Sequence, residues 1–116
     1  MAEGLVQILE GALLAAGEPL SVQRMALLFE EHPNIDGIIH FAAFKSVGES
    51  VQDPLMYYRN NLGSLISILG CCKAFGVSNF IFSSSCTVYG EPVVSEISES
   101  TSLTNSAASP YGNTKK

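Results

Sequence analysis

The chain has 116 residues, a formal net charge of -5 and only 6 lysines and arginines, which argues against nucleic acid or an anionic membrane surface as a partner. A composition 47% hydrophobic and 15% charged is that of a globular chain with room for one modest core, not of a disordered segment. No run approaches the roughly 18 uninterrupted apolar residues of a membrane span, and Met1-Ala2-Glu3-Gly4 lacks the basic flank of a secretory signal. A cytoplasmic chain is expected.

Apolar residues at Leu5, Ile8, Leu9, Ala12, Leu13 and Ala16 recur at helical spacing and predict a helix over Gly4–Ala16. Gly17-Glu18-Pro19 interrupts it. Ser21 then suits the N-cap of a second helix reaching about Glu31, with Met25, Leu28 and Phe29 inward, and Pro33-Asn34 ends it. Ile35–Ala43 is a nearly continuous apolar run, the pattern of a strand covered on both faces. Lys45–Asp53 reads as a loop. Pro54 fits a helix start, and apolar positions recur through Leu55, Tyr58, Leu62, Leu65, Ile66, Leu69, Cys72 and Phe75 to a stop at Gly76. Val77–Ser83 reads as a second buried strand, and Glu91–Ala108 as a loop. The odd set Cys71, Cys72 and Cys86 has no metal-ligand spacing. Neighbouring helical residues point about 100 degrees apart, so all three are expected to be reduced packing residues.

A strand, a crossover helix and a second strand form one right-handed unit of a parallel sheet. The expected fold is α/β, a partial Rossmann-like sheet in the order helix, helix, strand, helix, strand. Ligands of such sheets lie beyond the carboxyl ends of the strands. His40-Phe41-Ala42-Ala43 and Ser83-Ser84-Ser85 both fall there. Two strands are both edges and leave one sheet face without cover, so self-association by sheet extension or segment exchange is expected.

Ser109-Pro110-Tyr111-Gly112-Asn113-Thr114-Lys115 places a phenol and an ammonium on one helical face. With a serine hydroxyl such a pair can move a proton on and off a substrate alcohol, because the nearby positive charge favours the phenolate. This helix ends with the chain, and its single turn is expected to fray.

From Ile35 to Lys115 three segments, IDGIIHFAAFKSVGESVQDPLMYYRNNLGSL, GVSNFIFSSSCTVYGEP and SPYGNTK, closely resemble the UDP-glucose 4-epimerase family of extended short-chain dehydrogenases/reductases. The resemblance implies an NAD cofactor, a UDP-sugar substrate and galactose metabolism. It implies Tyr111 as the base for the sugar 4-hydroxyl, Lys115 on the nicotinamide ribose, and Ser85, with Thr87 nearby, on the substrate oxygen. Phe41, Ala42, Ala43, Lys45, Asn60 and Ser83 match cofactor neighbours. Against these, Phe41 and Phe82 suit a core equally well, and Lys45 suits a solvated loop. His40 reads as a satisfied structural histidine, Glu49 and Asp53 as local caps or partners, and Glu96 and Glu99 as solvated.

The family's Gly-x-x-Gly-x-x-Gly fingerprint does not occur in these residues; Gly4, Gly11 and Gly17 have the wrong spacing. ILEGALLAAGEPLSVQRMALLFEE resembles instead the opening helix-turn-helix of segregation and condensation protein B. Residues 1–33 are therefore expected to be a helical segment of different origin, and residues 34–116 part of an epimerase NAD-binding domain, in one folded unit. Three functions follow: a non-catalytic truncated or chimeric piece of an epimerase binding no NAD alone, an epimerase completed by another chain, or an interaction module using the N-terminal helices.

Overall fold

The computed structural model describes residues 22–91, 94–103 and 107–116, so the predicted helix over Gly4–Ala16, its Gly17-Glu18-Pro19 break and the Ser21 cap lie outside the described residues. The described elements are α1 (Val22–Glu31), β1 (Gly37–His40), α2 (Val47–Gln52), α3 (Pro54–Phe75), β2 (Asn79–Phe82), a 3-10 turn (Cys86–Tyr89) and α4 (Pro110–Lys115).

α1 turns Met25 and Phe29, one helical turn apart, into the core, where both are essentially inaccessible. Phe29 stacks on Phe75 at the far end of α3, with ring centroids 5.4 Å apart. Met25 and Phe29 form the core with Ile68, Cys71, Cys72 and Val77, and Ile38 of β1 and Phe80 of β2 pack against it. β1 and β2 run parallel, with Gly37 opposite Asn79 and His40 opposite Phe82. At Gly37 a Cβ would stand 2.9 Å from Asn79 Cβ, so glycine permits the close start of the ladder. The Asn79 amide closes that end by donating to the Asp36 carbonyl at 2.8 Å.

Among the described residues both strands are edges of a two-stranded sheet, as expected. Its inner face packs on the helices. On its outer face the register pair Ile39 and Ile81 is 57% and 61% exposed.

The stretch read as a loop, Lys45–Asp53, contains α2. Ser46 caps it by accepting from the Glu49 N–H, and Asp53 both ends α2 and caps α3 by accepting from Met56 N–H. Weak helix formers such as Gly48, Ser50 and Val51 hide this helix in the sequence. Tertiary contact selects it: the buried Tyr57 hydroxyl accepts from Ser46 N–H at 3.0 Å and donates to Glu49 Oε2 at 2.8 Å.

α3 runs from Pro54 in its first turn to Gly76, whose left-handed φ of 69° ends the helix and returns its N–H to the Cys72 carbonyl. The apolar residues that announce this helix are largely not those it buries. Leu55, Leu62, Ile66 and Leu69 are exposed, whereas Tyr57, Asn61, Ser64, Ile68 and Cys71 face inward. Cys71 and Cys72 are buried, as expected, and in no disulfide, but Cys86 is exposed, because it opens the 3-10 turn past the end of β2.

α4 corrects the expectation of a frayed last turn. Ser109 caps it by accepting from Gly112 N–H at 3.1 Å, and Gly112, Thr114 and Lys115 are buried. Packing on α3, α2 and the 3-10 turn supplies the partners that an isolated turn lacks.

Candidate active site

The polar ends of β1 and β2 and the helix α4 meet at one end of the sheet. The ladder continues one residue beyond β2, where Ser83 N–H donates to the His40 carbonyl at 3.1 Å. The Ser83 carbonyl then accepts from Lys115 Nζ at 2.9 Å. Lys115 is only 5% exposed and its ammonium lies 4.8 Å from the centroid of the Phe82 ring, a cation–π contact. Burial holds the Lys115 ammonium below its ordinary pKa. The next serine secures the same residue from its backbone: Ser84 Oγ donates to the Lys115 carbonyl at 2.6 Å.

Ser85 caps the 3-10 turn. Its half-buried hydroxyl accepts from Thr87 N–H at 3.3 Å and from Thr87 Oγ1 at 3.0 Å. α4 sits directly on this turn, because a Cβ on Gly112 would lie 3.0 Å from the Thr87 carbonyl oxygen and 3.3 Å from Thr87 Oγ1. Glycine beside Tyr111 thus sets how closely the phenol's helix approaches the hydroxyl pair. Tyr111 is half-buried and meets Tyr57 edge to face, with centroids 6.5 Å apart.

Asn61 ties this assembly to the exit of β1. Its amide accepts from Phe44 N–H at 2.9 Å and donates to the Phe44 carbonyl at 3.0 Å and to Thr114 Oγ1 at 3.0 Å. Thr114 in turn donates to the Tyr111 carbonyl at 2.7 Å. Tyr58 adds an outer tether by accepting from the Asn113 amide at 3.1 Å.

Ser83, Ser85, Thr87, Tyr111 and Lys115 are therefore brought together at one end of the sheet. Ala42 and Ala43 are half-buried where the chain leaves β1, and Asn60 donates to Asn61 Oδ1 at 3.0 Å. Phe41, at 66%, and Lys45 are exposed, although Phe44 and Ser46 on either side of Lys45 are held by Asn61 and Tyr57. Glu49 and Asp53 act locally, as expected. His40 is buried as a structural histidine would be, but its Nε2 has no hydrogen-bond partner, which corrects the expectation of a satisfied one.

Three positioning groups escaped the sequence reading: Asn61, Ser84 and Gly112. Asn61 had a usable signal, since it lies four residues from Tyr57 on one helix face. Nothing in the sequence distinguishes the tasks of Ser83, Ser84 and Ser85, which depend on where each hydroxyl points after β2 ends.

Hydroxyl-bearing strand ends thus face a buried lysine and a tyrosine on one short helix at the end of a Rossmann-like parallel sheet. The chain belongs to the family described as GDP-mannose 4,6 dehydratase, whose model matches residues 13–116. Within that setting it is similar to UDP-glucose 4-epimerases, as the three sequence segments implied. The Caenorhabditis elegans UDP-glucose 4-epimerase is 48% identical over 88 residues, 76% of this chain and 25% of that protein. The UDP-glucose 4-epimerase structure from Stenotrophomonas maltophila, with bound NAD and formylated UDP-arabinopyranose, superposes with a TM-score of 0.73 at 43% identity. That match covers 83% of this chain and 29% of the other. The Bifidobacterium longum enzyme in complex with NAD+ and UDP gives a TM-score of 0.73 at 45% identity, covering 81% of this chain and 28% of that one. The chain thus spans about a quarter of the length of the relatives it matches.

Proposed function

We propose that this chain carries the proton-transfer end of an NAD-dependent UDP-sugar 4-epimerase active site, and that catalysis requires the parts of the fold that bind the cofactor's phosphates and the sugar nucleotide. The single observation that carries this reading is the placement of Lys115. Its ammonium is buried against the Ser83 carbonyl, one helical turn from Tyr111, on a helix seated on Thr87 beside Ser85.

The donor chemistry fits a nicotinamide ribose. An ammonium has three N–H donors; one of those on Lys115 goes to Ser83, leaving two for ribose hydroxyls. The small side chains of Ala42 and Ala43 and the Asn60 amide suit neighbours of the same cofactor. When bound, NAD would accept hydride from C4 of the sugar and return it to the opposite face. Tyr111 would take the 4-hydroxyl proton on its phenolate oxygen and give it back in the return step, and the Lys115 charge would favour that phenolate. Ser85 would hold the substrate oxygen through its hydroxyl, whose acceptor side is already engaged by Thr87.

The 116 residues contain no Gly-x-x-Gly-x-x-Gly cradle, so the chain alone is expected to bind no NAD and to be inactive. Joining it to the remainder of the C. elegans relative should yield UDP-glucose/UDP-galactose interconversion that Tyr111→Phe abolishes. Turnover or co-purified NAD with the chain alone would overturn the requirement for completion. Activity undiminished by Tyr111→Phe would overturn the site.

The exposed Ile39 and Ile81 on the sheet and Leu55 and Ile66 on α3 support self-association. Sedimentation as a monomer at high concentration would contradict it. No described helix is long and apolar enough to cross a membrane. That none of the three cysteines is in a disulfide supports a reducing, cytoplasmic setting. We further propose a separate origin for the N-terminal segment. The family match begins at residue 13, inside the expected segment 1–33, and the gene's neighbourhood tests the proposal.

A further inference from the structure

Among the described residues, His40 Nε2 is the buried side-chain polar atom left without a hydrogen-bond partner. The residue closes β1 opposite Phe82 and is 3% exposed. Its ring stacks on Phe82 at 6.0 Å and on Phe80 at 6.1 Å between centroids. The Lys115 ammonium lies over that same Phe82 ring, at 4.8 Å, while it donates to the Ser83 carbonyl. One phenyl ring is therefore shared by an imidazole and an ammonium. A second link joins them through the backbone, because the Ser83 that accepts from Lys115 donates its own N–H to the His40 carbonyl.

A neutral imidazole is compatible with this arrangement. An imidazolium is not, since it would place a second cation beside a buried one and leave a charged donor without an acceptor. We propose that His40 is a positioning residue for Lys115: neutral, it packs Phe82 as the seat of the ammonium, and protonated, it drives Lys115 off the Ser83 carbonyl and breaks the Tyr111–Lys115 pair. The functional half of this inference rests on the assignment of Lys115 to the proton-transfer pair.

Among the described residues no contact brings a compensating negative charge to the ring. β2 presents Phe80 and Phe82 to the imidazole, and α4 presents Lys115. The charged residues of α3, Arg59 and Lys73, are exposed, and Glu49 of α2 is engaged by Tyr57. Burial first, and then the Lys115 charge, hold the imidazole below its ordinary value of 6.5. The folded state therefore resists proton uptake that the unfolded chain accepts. Lys115 keeps its seat above pH 6.5 and loses it as the pH falls through the lowered His40 value.

Nuclear magnetic resonance titration of the whole 116-residue protein tests this without turnover. In the wild type, the Lys115 side-chain resonances should shift at the same midpoint as the His40 ring, below pH 6.5. In Lys115→Met, which keeps an apolar stem over Phe82, the His40 midpoint should rise. In His40→Gln, which cannot take up a proton, the Lys115 resonances should stay flat through the same range. A Lys115 signal that ignores the His40 titration in the wild type, or an unmoved His40 midpoint in Lys115→Met, overturns the proposal. The wild-type titration decides alone if a variant does not fold. Failure of the catalytic reading, seen as Tyr111→Phe leaving turnover intact, would not alter these titrations, so the two failures are distinguishable.

Discussion

The two halves of α3 bury the same face of one helix in opposite chemistry. Toward its C-terminus, Ile68, Cys71 and Cys72 meet Met25, Phe29 and Val77 in an apolar core. Toward its N-terminus, Tyr57, Asn61 and Ser64 are as deeply buried but are polar. There the hydroxyl of Tyr57 holds α2, and the amide of Asn61 joins the β1 exit to α4. Apolar packing is non-directional and tolerates small shifts, so it suits the half that only has to hold the sheet. Hydrogen bonds fix direction and distance, and they sit where α4 carries Tyr111 and Lys115. The difference teaches that the site end is specified by polar satisfaction and the far end by volume.

The sharpest way to break that contrast is to empty the apolar half. Ile68→Ala removes a side chain 2% exposed and should cost about 3 kcal/mol, lowering the urea midpoint while α4 protection falls in step with the rest. Asn61→Ala should cost less overall, about 2 kcal/mol from stranded buried groups. Hydrogen exchange should show its effect confined to the Phe44 amide and α4. A uniform loss of protection would mean the polar half is not a separate clamp.

A third comparison sets two thiols against each other. Cys71→Ser puts a hydroxyl into the apolar core and should cost about 1–2 kcal/mol. Cys86→Ser, on the exposed turn, should stay within about 0.5 kcal/mol, and a larger loss there would contradict its exposure. Gly76→Ala should cost about 1 kcal/mol, because alanine is strained at a φ of 69°. The smallest effect is on pH. Since the His40 value is lowered by folding, stability is complete above pH 6.5 and declines as the pH falls below it; His40→Gln should flatten that decline in urea titrations at successive pH values.

Much of this was legible in the residues. Pro54 and Gly76 bracket α3 correctly, and both strands were found, although each hydrogen-bonded ladder spans fewer residues than its apolar run. The serine-rich strand end and the Tyr111–Lys115 spacing marked the chain's relatives, and the structure brings these residues to one end of the sheet. α2 was missed because its residues have weak helix propensity and its stability comes from Tyr57. The burial of α4 was missed because the partners of a terminal turn are distant in the chain: Ser84 and Asn61 lie 31 and 53 residues away from the groups they hold.

By itself, the sequence determined the elements whose signals are local: periodicity, a proline start, a glycine stop, and a motif whose spacing puts two groups on one helix face. Only the tertiary structure decided which face of α3 is buried, which serine holds the Lys115 carbonyl, and that His40 and Lys115 share one phenyl ring. Those outcomes depend on contacts between residues far apart in the chain, where burial turns each unpaired polar atom and each charge into an energetic constraint that no local pattern encodes.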